Sequence, residues 1–118
     1  MSERRLSLRV PYGAWVEDET EGGLTFFLSQ NLSLGGILLR SASAPPAVGH
    51  KVRLRLVVEN ESRIMSVQGE VLRHTSEDGE FAVRFVNLDG PRMTFLRELV
   101  QEAKEAGGPD ASSPDAGV

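Results

Sequence analysis

The chain has 118 residues, 40% of them hydrophobic, a formal charge of −4 and no cysteine. That length allows one core and excludes two. The missing cysteines exclude disulfides, thiolate metal sites and a cysteine nucleophile, and the acidic balance argues against a protein that coats nucleic acid. No apolar run approaches the roughly 18 residues of a membrane span. The opening residues carry no apolar stretch after their arginines, so no secretory signal is expected and the expected compartment is the cytoplasm.

Residues 1–10 form a basic arm in which Arg4, Arg5 and Arg9 stand against one acid, Glu3. The arm has few apolar anchors and is expected to be flexible. If it is extended, Arg5 and Arg9 point to the same side, about 13 Å apart. An acidic run, Glu17 to Glu21, follows and reads as a solvated hairpin end.

From residue 12 to residue 87 apolar residues alternate in short runs between turn formers, which predicts an all-β unit. The runs are 13–19, 24–30, 35–41, 52–58, 65–71 and 81–86. Val52-Arg53-Leu54-Arg55-Leu56-Val57-Val58 is the clearest, with Val52, Leu54, Leu56 and Val58 on one face and arginines on the other. Gly69 falls in register between Val67 and Val71 and could permit a bend. Glu77-Asp78-Gly79 marks a turn. Six short strands suggest a closed barrel, because closure removes exposed edges. Trp15, Phe26 and Phe27 are expected in its core or at its rim.

After Asn87 the period changes to about 3.6. Asp89 or Gly90 can cap, Pro91 suits the first helical position, and Met93, Leu96, Leu99, Val100 and Ala103 share a stripe. From Gly107 the chain has little to bury and is expected to be disordered. The expected organisation is therefore a flexible arm over 1–10, a barrel with a carboxyl-terminal helix over 11–106 and a tail over 107–118.

Two segments carry chemistry. The arm's arginines are planar, permanently charged forks that grip phosphate oxygens or lie flat on a purine, and a guanidinium also matches the O6 and N7 edge of guanine. In Asn31-Leu32-Ser33-Leu34-Gly35-Gly36, Asn31 and Ser33 project together if the chain is extended, offering an amide and a hydroxyl to a base edge. Gly35 and Gly36 let the backbone turn or approach a ligand closely. Taken singly, the first segment reads as a solvated tail and the second as a turn between strands. His50 and His74 have no ligand pattern around them, so no metal site is expected. Nothing suggests a nucleophile, so no catalytic residue is assigned.

Arg5-x-x-x-Arg9, then Asn31-x-Ser33-x-x-Gly36, a six-stranded barrel pattern and a carboxyl-terminal helix together resemble the PilZ domain, the bacterial receptor for cyclic di-GMP. The resemblance covers residues 4 to about 104. It implies a six-stranded antiparallel PilZ-type β-barrel with one carboxyl-terminal helix, in which Arg5 and Arg9 hold phosphates and guanines. It places Asn31 and Ser33 against a guanine, with Gly36 ending that motif beside Gly35. Family members with a basic residue at the position of Arg4 often take up a stacked pair of cyclic di-GMP molecules. The implied protein is a non-enzymatic second-messenger receptor without a cofactor. With no output module of its own, it is expected to signal through a protein partner in motility, pilus or exopolysaccharide control. The alternative from a different class is a ligand-independent PilZ-like adaptor that binds motility or secretion machinery. A single-stranded nucleic-acid barrel is the third reading, and the acidic balance and single tryptophan count against it.

Overall fold

The structure is a computed structural model and describes residues 9–19, 25–58 and 62–112, the side chains of 107–112 excepted. It contains strands β1 (Val10–Pro11), β2 (Trp15–Asp18), β3 (Thr25–Leu32), β4 (Gly36–Arg40), β5 (Lys51–Val58), β6 (Arg63–His74) and β7 (Glu80–Phe85), then helix α1 (Gly90–Ser112). All pairings are antiparallel, and β2, β3, β4, β7, β6 and β5 form a closed ring, β5 returning to β2. Six strands thus make the barrel, as the alternating pattern predicts. The seventh, two-residue β1 lies in line with β2 along one edge of β3, where Val10 faces Leu32 and Trp15 faces Leu28.

The β5–β6 hairpin keeps an unbroken register from Lys51 opposite Glu70 to Val58 opposite Arg63. Val52, Leu54, Leu56 and Val58 are buried while Lys51, Arg53 and Arg55 are exposed. Strict alternation places one whole side of the strand in the core. Gly69 is tight for a packing reason: a Cβ there would sit 2.4 Å from Val83 Cγ1. The ladder to β7 is instead bent further along, where the register slips between Val71 and Arg73, leaving Leu72 as the extra residue. Inside, Phe27 and Phe81 meet edge to face at 5.0 Å and 83°, an arrangement that adds about 1 kcal/mol beyond area burial.

Helix α1 packs on β1, β5 and β6. Asp89 caps it, its Oδ1 accepting from the Arg92 N–H at 3.0 Å, which makes Gly90 the first helical residue and Pro91 the second. Leu96, Leu99 and Ala103 are buried, as is Phe95, which the predicted stripe omits. Arg63 lies over the Phe95 ring, 5.5 Å from its centroid, and pairs with Glu98. The helical backbone runs to Ser112, past the expected boundary at Gly107. That boundary rested on how little the segment has to bury, and backbone hydrogen bonding lets a helix continue for some turns without a buried face. Residues 113–118 lie outside the described residues.

Trp15 and Phe26 are not core residues. They are 67% and 48% exposed, whereas Phe27 is 3% exposed. The register decides it: Val16 and Asp18 point inward from β2, so Trp15 and Glu17 point out, and Phe26 pairs with Glu17 on that outer face.

Candidate functional site

The root of the arm and the polar bend meet. Pairing of Val10 with Leu32 and Pro11 with Asn31 carries the preceding residue, Arg9, to the outer end of β3, where Arg9 Nη1 donates to Asn31 Oδ1 at 2.8 Å. Val10 is 5% exposed, so burial of its side chain pins this junction. Val10 therefore belongs to the barrel rather than to a free arm. Arg4 and Arg5 lie outside the described residues.

Asn31 and Ser33 do different work. Asn31 is half-buried at the strand end and its amide oxygen is engaged by Arg9. With the oxygen accepting from Arg9, the amide's N–H groups are donors that the side chain can offer a base edge. Ser33 is 2% exposed. Its N–H donates to Gly36 O at 2.9 Å, and its Oγ accepts from the N–H groups of Gly35 and Gly36, each at 3.2 Å. Its hydroxyl therefore braces the β3–β4 turn from inside, satisfying two backbone donors that the turn would otherwise leave without partners.

The two glycines are also structural. Among the described residues the glycines with positive φ are Gly49 and Gly79, so neither Gly35 nor Gly36 is needed for a left-handed turn. Gly36 is required by close approach instead: a Cβ there would lie 2.3 Å from Val83 O on β7. Gly35 O accepts from Phe85 N at 3.0 Å, tying the turn to the same strand.

One residue that sequence reasoning missed is Ser29. It is 2% exposed; its Oγ donates to Tyr12 O at 2.6 Å and accepts from Ala14 N at 2.9 Å. A serine in a strand that also carries Thr25, Gln30 and Asn31 has no pattern that would single it out. A second missed feature is a cleft of about 730 Å³ between residues 11–15 and the carboxyl-terminal half of α1, with Trp15, Arg55, Val57, Glu102 and Ala103 among its walls. Arg9 and Asn31 do not line it; exposed Arg9 and half-buried Asn31 lie next to Pro11, at the end of the segment away from Trp15.

The arginines on the barrel's outer face and at the start of α1 are largely matched by acids. Arg55 lies 3.8 Å from Glu17, Arg84 bonds Glu70 at 2.8 Å and Arg92 bonds Asp89 at 2.9 Å. Such exposed pairs contribute little to stability but leave a mixed surface that does not suit a phosphate polymer. His74 Nε2 contacts Pro46 O at 2.7 Å, a local structural contact. Among the described residues no cluster of metal-ligating side chains occurs, and no helix is long and apolar enough to cross a membrane.

The family model described as PilZ domain matches residues 3–102. Among solved structures, the chain is similar to the PilZ domain with c-di-GMP of YcgR from Escherichia coli, at 15% identity and a TM-score of 0.74, covering 93% of this chain and 98% of that one. It is similar to the Bacillus subtilis inhibitor of motility (MotI/DgrA) at 18% identity and a TM-score of 0.66, covering 87% of this chain and 51% of that one. The PilZ domain of CeSA from a cellulose-synthesizing bacterium matches at 14% identity with a TM-score of 0.60, over 86% of this chain and 100% of that one. No curated protein matches by sequence.

Proposed function

The chain belongs to the PilZ domain family, and from that premise we propose that it is a non-catalytic receptor for cyclic di-GMP. The observation that carries this is the Arg9 to Asn31 contact at 2.8 Å, which joins the two halves of the motif at one place on the barrel surface. In this reading Arg9 and Arg5 take the phosphates and stack on guanine, Asn31 donates to a guanine acceptor edge, and Ser33, Gly35 and Gly36 hold the turn that presents Asn31. Arg4 supplies the further charge that a stacked nucleotide pair would need. Two phosphates neutralise arginines that repel one another in the free protein, so the arm orders on binding.

Output passes to a protein partner, for which the open cleft at Trp15 provides an apolar wall. An exposed tryptophan beside small residues is the kind of feature at which binding energy concentrates. The process controlled is motility, pilus function or exopolysaccharide synthesis, in keeping with the motility inhibitor and cellulose-related domain among its structural relatives.

Calorimetric titration with cyclic di-GMP tests the reading. The wild-type chain is expected to bind saturably, and Arg5→Ala and Arg9→Ala to lose binding while keeping the wild-type melting temperature. Absence of saturable binding by the wild-type chain would leave the ligand-independent adaptor as the function.

A further inference from the structure

We infer that Ser29 is a positioning residue of the nucleotide site: its buried hydroxyl roots the strand segment from which the ligand-binding arm leaves the barrel. The inference rests on the receptor reading for its effect on ligand, and on geometry alone for the rooting itself.

The edge of β3 that receives β1 and β2 is mismatched. Pro11 faces Asn31 and Trp15 faces Leu28, so three residues, 12–14, must pass opposite only two, Ser29 and Gln30. A ladder cannot run through such a stretch, because the extra residue throws the N–H and C=O groups out of register. Pro11 aggravates the problem, since it has no N–H to give, and β1 is only two residues long. Left to backbone pairing, the segment would hold by the Tyr12 N–H to Gln30 O bond at 3.2 Å and the Ser29 N–H to Ala14 O bond at 2.8 Å.

The Ser29 side chain repairs the break. Its Oγ–H is donated to Tyr12 O at 2.6 Å, with Ala14 O also near at 3.1 Å, and the same oxygen accepts the Ala14 N–H at 2.9 Å. One hydroxyl thus binds both ends of the irregular stretch, and its burial shields those bonds from water. Nothing else on the residue faces outward, so Ser29 has no route to a ligand of its own. Its influence on the site runs through the backbone: Tyr12 is three residues from Arg9, and the short β1 between them seats Arg9 on Asn31. Tyr12 packs against the core, while Gly13 stands in open space and adds no packing of its own to the stretch.

The test uses amide hydrogen exchange by NMR on the free protein, together with calorimetric affinity for cyclic di-GMP, in the wild type, Ser29→Ala and Ser29→Thr. Ser29→Ala is expected to speed exchange of the Tyr12 and Ala14 amides roughly tenfold while the β5–β6 hairpin keeps its protection, and to weaken cyclic di-GMP binding by about the same factor. Ser29→Thr, which keeps a hydroxyl, is expected to recover both. If Ser29→Ala does not fold, Ser29→Cys, whose somewhat larger thiol is a weak hydrogen-bond donor and acceptor, carries the same expectation. Wild-type exchange at residues 12 and 14 in the variant overturns the inference, and so does faster exchange with unchanged affinity. If the wild-type chain binds no cyclic di-GMP, the receptor reading fails, while the exchange comparison still decides whether Ser29 roots the segment.

Discussion

The β5–β6 hairpin and the corner where β1, β3 and β4 meet are built on opposite terms. The hairpin is an unbroken ladder whose inward residues are all apolar; its stability is spread over many equivalent contacts. The corner has a two-residue strand, a register slip between Ser29 and Asn31 and two buried serines that bond to backbone. There the geometry rests on single groups. Irregular backbone exposes donors and acceptors that a ladder would consume, which is why the polar groups able to meet a ligand collect at the corner.

If the contrast holds, the largest loss of stability comes from the hairpin. Leu54→Ala, at a fully buried site, is expected to lower the unfolding free energy in urea by about 3 kcal/mol with nucleotide affinity of the folded protein unchanged. Altered affinity would show that the two regions are not independent. Gly36→Ala attacks the corner through packing: its Cβ meets backbone rather than a side-chain tip, and a loss of about 2 kcal/mol is expected by the same measurement. Ser33→Ala removes the acceptor for two turn amides and should cost about 1 kcal/mol, with weakened nucleotide binding because Asn31 is no longer well presented. Asn31→Ala should leave the urea midpoint in place and weaken binding of cyclic di-GMP in calorimetry; a shifted midpoint would make the Arg9 contact structural. Trp15→Ala, at 67% exposure, should change neither stability nor nucleotide affinity.

Much of the barrel was legible because period-two burial is written residue by residue. Val52 through Val58 could be assigned to faces from alternation alone, whereas Ala82 is buried along with Phe81, Val83 and Phe85; the switch to a 3.6 period after Asn87 announced α1. The union of Arg9 with Asn31 was legible only through family resemblance, since no local pattern relates residues twenty-two apart. Whether Trp15 stood in the core or at the rim was not legible, because aromatic character favours burial but does not choose a face; the pairing of Val16 with Phe27 did that.

By itself, then, the chain's order of residues determined the all-β class, the six strands of the barrel and the helix. Those follow from local propensity and periodicity. Only the tertiary structure decided that Ser33 braces a turn, that Gly36 makes room for Val83 of β7 and that Ser29 holds residues 12–14. Each of those roles depends on a partner from another strand, and a hydrogen bond or a steric contact has no existence until both sides have been brought together.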